Sequence, residues 1–132
     1  MKKTKTLTLR SADKEKLSSM KKFRYLTPNE KEALSVFVKS LKEQLKSQLI
    51  QVWLFGSKAK GNFNSDSDID VLLILQERTE EILDRIAAIH LELDLKYDPN
   101  ISLIIYSQHE YEQNEAFESP FLINIQRESI AL

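Results

Sequence analysis

At 132 residues the chain has the length of one domain, and a formal net charge of −1 argues against a wholly basic nucleic-acid binder. It contains no cysteine, which excludes disulfides and thiolate metal sites. No apolar run reaches the length of a membrane span, and the basic start lacks the apolar stretch of a secretory signal, so the expected location is cytoplasmic.

The near-neutral balance conceals a division along the chain. Through Arg24 there are nine Lys/Arg against two acids, and after it ten against eighteen, giving about +7 and −8. Residues 1–26 are therefore read as a basic N-terminal arm and 27–132 as the folded domain. The arm offers charge for nucleic acid or an acidic partner, but its aromatics, Phe23 and Tyr25, stand only at its end. Single-strand binders interleave aromatics with charge, so contact with nucleic acid is disfavoured against a solvated leader that folds back on the acidic body.

The first strong element opens at Thr27-Pro28-Asn29-Glu30, where Thr27 is an N-cap, Pro28 suits the first helical position and Glu30 completes a capping box. Leu34, Phe37, Val38, Leu41 and Leu45 recur at helical spacing, predicting a helix over 28–47. Leu49 to Phe55 is aromatic and branched and ends at Gly56, hence a strand. Val71 to Leu75 is apolar on both faces, as a central strand would be. A second helix runs from Thr79 to about Leu95 and stops at Asp98-Pro99-Asn100. Ile101 to Tyr106 is a third strand, and Ser107 caps a short helix through Glu112. Glu112 to Glu118 is read as a loop or a frayed helix end, and a final helix capped by Ser119 begins at Pro120. This order is that of a small α/β (α+β) domain with a short mixed sheet and helices packed on it.

Chemistry concentrates between the first two strands. Side chains two apart on a strand share a face, their α-carbons roughly 6.5 to 7 Å apart, so Asp68 and Asp70 aim both carboxylates at one point. Such oxygen ligands suit Mg²⁺ bound together with substrate phosphates. Gly56 lets a phosphate approach the backbone, and Ser57 offers an N–H and a hydroxyl. Lys58 and Lys60 supply point cations or are simply exposed loop lysines, while Ser65, Asp66 and Ser67 form the turn into the strand. Neither Gly-Ser nor Asp-x-Asp is informative alone. The signal is both together, ten residues apart and between two strands.

Gly56-Ser57-Lys58-Ala59-Lys60-Gly61 followed by Asp66-Ser67-Asp68-Ile69-Asp70-Val71 resembles the Gly-Ser-x-Ala-x-Gly … Ser-Asp-x-Asp pattern of the nucleotidyltransferases of the DNA polymerase beta-like superfamily, and within it the minimal nucleotidyltransferases. The element order over residues 28–106 is also similar to that family's fold, so the likeness covers some two-thirds of the chain. The resemblance implies transfer of a nucleoside monophosphate from an NTP to an acceptor hydroxyl with release of pyrophosphate. It makes Gly56 and Ser57, with Lys58 and Ser67 beside them, the candidate nucleotide-binding residues. Asp68 and Asp70 become the candidate catalytic residues and Mg²⁺ ligands, with ATP as substrate. Members of this size are similar to antitoxins that adenylylate a tyrosine of a HEPN-domain ribonuclease toxin.

One departure stands out. Family members with full activity have a third carboxylate on a later strand, where this chain is expected to present Ser102, with Asp98 the nearest acid of the same parity. The alternative reading is accordingly a weak or inactive nucleotidyltransferase-fold module that neutralises its partner by binding. An aminoglycoside-type transferase is a third reading, disfavoured for want of a second domain to hold the acceptor. His90 and His109 lack a second nitrogen ligand nearby and are read as boundary or surface residues, and Trp53 is read as core.

Overall fold

The structure is a computed structural model in which residues 25–56 and 68–132 are described. Helix α1 spans Pro28–Leu45. Thr27 Oγ1 accepts from the Glu30 N–H at 3.1 Å and Glu30 Oε1 accepts from the Thr27 N–H at 2.9 Å, closing the expected capping box. The helix ends two residues before the expected boundary because Lys46 takes φ 50°, and a single 3₁₀ turn, Lys46–Gln48, leads into β1, Leu49–Phe55. Strand β2 is Ile69–Leu75, and helix α2, Glu80–Tyr97, starts behind the Thr79 cap. Asp98 ends α2 in the left-handed conformation, φ 48° and ψ 48°. Strand β3 follows at Ile101–Ser107.

The sheet order is β3-β2-β1, with β4, Ile130–Ala131, on the far side of β1. Strand β1 runs antiparallel to both β2 and β4, and β2 runs parallel to β3. The sheet is thus mixed, and β2 is its central strand, with every residue from Val71 to Leu75 buried.

Alternation along the strands gives the sheet two unlike faces. Val52 and Leu54 of β1, with Ile69, Val71, Leu73 and Leu75 of β2, pack against Leu34, Phe37 and Leu41 of α1 and Ile86, Ile89 and Leu93 of α2. This is the larger core layer. Asn29 Nδ2 donates to the Tyr97 carbonyl at 3.2 Å and Tyr97 Oη donates to Glu32 at 3.2 Å, fastening the start of α1 to the end of α2. The opposite face, lined by Trp53, Phe55, Leu72, Ile104 and Tyr106, packs against Tyr111 of helix α3 (Gln108–Ala116) and Leu122 and Ile125 of helix α4 (Pro120–Glu128).

Three further features differ from the sequence expectation. The polar run after Glu112 stays helical to Ala116. Ser107 and Glu110 close a second capping box, whose backbone bond from Ser107 holds the Glu110 carboxyl below the usual range, and Gln126 Nε2 bridges Tyr111 Oη at 2.8 Å and Glu115 at 2.7 Å. Ser119 occupies the N-cap of α4 but makes no side-chain capping bond. Strand β4 is too short to carry a pattern and forms by pairing with Trp53 and Leu54. Among the described residues no helix is long and apolar enough to cross a membrane.

Candidate active site

The site is built on one row of the sheet. In the register, Phe55 of β1 stands opposite Asp70 of β2, and Asp70 stands beside Ser102 of β3. The next row inward is Trp53, Leu72 and Ile104, which belongs to the smaller core layer. Because side chains two apart share a face, Phe55, Asp70 and Ser102 project on the side covered by α3 and α4. Asp68 lies one step further out on the same parity and is exposed, whereas Asp70 is half-buried. The pair therefore sits where a buried apolar floor meets solvent.

Two observations show that the Asp70 carboxylate is crowded. Partial burial, and after it the charge of Asp68, pushes the Asp70 carboxyl up from its ordinary range. Gly56, at the end of β1, adopts φ +76°, and a Cβ there would collide with the Asp70 carboxylate and lie 3.2 Å from its Cγ. The backbone turn after β1 and the Asp70 head group thus share a space that only glycine leaves open.

Asp68 is oriented from the side. Asn100, in the turn between α2 and β3, donates from Nδ2 to Asp68 Oδ1, and its carbonyl accepts from the Ile69 N–H at 2.7 Å. One residue thus fixes both the backbone where β2 begins and one oxygen of the carboxylate. Sequence reasoning missed it, although its place in Asp98-Pro99-Asn100, directly ahead of the strand parallel to β2, was a usable signal. Asp98 closes α2 as its C-cap and lies outside β3, so Ser102 is the β3 residue beside Asp70. Among the described residues no group of three or more His, Cys, Asp or Glu is arranged to hold a metal ion.

Ser57, Lys58, Lys60, Ser65, Asp66 and Ser67 lie outside the described residues, as does the arm through Arg24. Trp53 packs edge-on to Tyr111, ring centroids 5.9 Å apart, within the smaller core layer. His90 is half-buried and donates from Nε2 to the Ile101 carbonyl at 3.2 Å, a boundary position that ties α2 to β3; His109 is exposed.

A mixed sheet with two carboxylates at the exposed end of its central strand, facing a glycine turn at the end of the antiparallel neighbour, is the framework of a nucleotidyl-transferring domain. Residues 34–130 match the family model described as a nucleotidyltransferase domain, and the chain belongs to that family as one of its minimal members. It is similar to two putative protein adenylyltransferases of Methanocaldococcus jannaschii. One is 40% identical over 78 residues, 58% of this chain and 79% of that protein; the other is 32% identical over 80 residues, 61% and 76%. Among solved structures, a putative nucleotidyltransferase from Sulfolobus solfataricus aligns with TM-score 0.40 and 19% identity over 75% of this chain and 84% of that one.

Proposed function

We propose that the chain transfers AMP from ATP, in the presence of Mg²⁺, to a tyrosine hydroxyl of a HEPN-type ribonuclease toxin, and so acts in the cytoplasm as that toxin's antitoxin. The observation that carries the nucleotide and metal part is the Asp70 carboxylate in the space kept open by Gly56, with the charge of Asp68 bearing on it. Similarity to relatives described as protein adenylyltransferases supports AMP and a protein acceptor. The toxin partner rests on the chain's size and its resemblance to minimal members of the family.

The donor set fits the cation: a half-buried Asp70 carboxylate that also faces the charge of Asp68 is relieved by a divalent ion, and oxygen-only ligands suit Mg²⁺. Asp68 and Asp70 would hold it. When bound, Mg²⁺ neutralises charge on the triphosphate and on the leaving pyrophosphate. Asn100 keeps Asp68 in its ligating orientation. Gly56, with Ser57 following, would admit the phosphates against the backbone, and Lys58 and Ser67 would flank them. The acceptor oxygen forms its bond to the α-phosphorus as the bond to pyrophosphate breaks, and the hydroxyl proton leaves to solvent. In this arrangement the chain's contribution is position and charge, with no nucleophilic side chain.

A second reading is favoured by the register of β3. Ser102, beside Asp70, is neither a metal ligand nor a base of carboxylate strength, so the module silences its partner by binding alone. The purified chain, the product of a neighbouring gene, Mg²⁺ and α-labelled ATP separate the two. The enzyme reading predicts label on the partner that disappears in the Asp68→Asn/Asp70→Asn variant. Silencing that persists in that variant, with no label ever transferred, establishes the second reading. Ser102→Asp is expected to raise the labelling rate at least tenfold, and an unchanged rate refutes the incomplete-site argument.

A further inference from the structure

The site row continues sideways into an aromatic pair that the phosphate chemistry does not use. Phe55, opposite Asp70, meets Phe121 in the first turn of α4 edge-on, ring centroids 5.9 Å apart and planes at 89°. Phe121 is 42% exposed, although its helix buries Leu122 and Ile125 in the smaller core layer. Cross-strand partners lie about 5 Å apart, which places the Phe121 ring on the order of 10 Å from the Asp70 carboxylate, on the same face of the sheet. That is about the reach from a nucleotide's phosphates through its ribose to its base.

We propose that Phe121 is the stacking platform for the nucleobase, and that the site prefers a purine nucleotide; this rests on the nucleotide reading of Gly56, Asp68 and Asp70. Phe55 braces the ring from the side and α4 holds its backbone, so the platform is set before the ligand arrives. Stacking is tolerant of base identity but grows with the size of the π surface, which favours adenine and guanine over cytosine and uracil.

The test measures affinity, by calorimetry with Mg²⁺ present, for two probes: a non-hydrolysable ATP analogue, and inorganic tripolyphosphate, which carries the phosphates without a base. Phe121→Ala and Phe121→Leu are each expected to weaken the analogue roughly 5- to 100-fold and leave tripolyphosphate unchanged. Phe121→Tyr is expected to retain wild-type affinity, and the wild type to bind the ATP analogue more tightly than the corresponding CTP analogue. Phe121→Leu keeps an apolar side chain against Phe55, so it answers the question even where the alanine variant folds poorly. Equal weakening of both probes makes Phe121 a purely structural residue, and no weakening of the analogue removes it from the site; either overturns the platform while leaving the nucleotide reading intact. A wild type that binds neither probe overturns the nucleotide reading itself, and the platform falls with it.

Discussion

Asp70→Asn is expected to make the ligand-free protein more heat-stable at neutral pH while removing Mg²⁺-nucleotide binding. The Asp70 carboxyl is raised by burial and by Asp68, so folding favours its protonated form. For an acid shifted in this direction, the stability it contributes is fully present below the unfolded carboxylate value, about 3.9, and is lost as pH rises through the higher folded value. At neutral pH the ionised group therefore opposes folding, and a neutral amide of the same shape relieves it. The gain is modest, because Asp70 is only partly buried and solvent screens the pair. It shrinks as pH falls and vanishes below about 4, where the wild-type carboxyl is protonated too. Melting curves at pH 7 and pH 4 check the sign. Transfer should fall by more than the roughly 10- to 100-fold that loss of an outer-shell partner costs, since Asp70 would touch the metal itself. A lower Tm at pH 7 would mean that Asp70 is held by favourable contacts, contrary to the crowding described.

Gly56→Ala is expected to damage both stability and binding. Alanine at φ +76° costs roughly 1 to 2 kcal/mol of backbone strain. Its Cβ would also collide with the Asp70 carboxylate, which must turn away from the position it holds beside the glycine turn. Together these predict a fall in Tm of roughly 5 to 10 °C and a loss of Mg²⁺-nucleotide affinity. Gly56→Asn separates the two causes. Asparagine tolerates left-handed geometry better than alanine but carries the same Cβ, so it should recover part of the stability and none of the affinity. Wild-type affinity in either variant would show that the Asp70 head group does not depend on the glycine turn.

Local signals made much of the fold legible. Thr27-Pro28-Asn29-Glu30 announced its helix because capping is a contest among neighbouring residues only. Leu49–Phe55 was readable to the residue, and the unbroken apolar run of Val71 to Leu75 located the central strand. What escaped depended on distant partners. The second half of α3 is polar and is held by Gln126 from α4, and β4 exists only as an addition to the edge of β1. Within the site, the parity of β3 foretold Ser102 beside Asp70. The place of Asn100 ahead of β3 was a signal that went unused, and the edge contact of Phe121 with Phe55 was not readable because it joins elements distant in sequence.

In the proposed function, the Gly56, Asp68 and Asp70 end of the sheet holds a metal-bound nucleoside triphosphate. Calorimetric titration with a non-hydrolysable ATP analogue, with and without Mg²⁺, tests it most directly, alongside the Asp68→Asn/Asp70→Asn variant checked for intact folding. Saturable binding that requires Mg²⁺ and is lost in the variant is expected. Binding of equal strength in the variant, or binding indifferent to Mg²⁺, would contradict it.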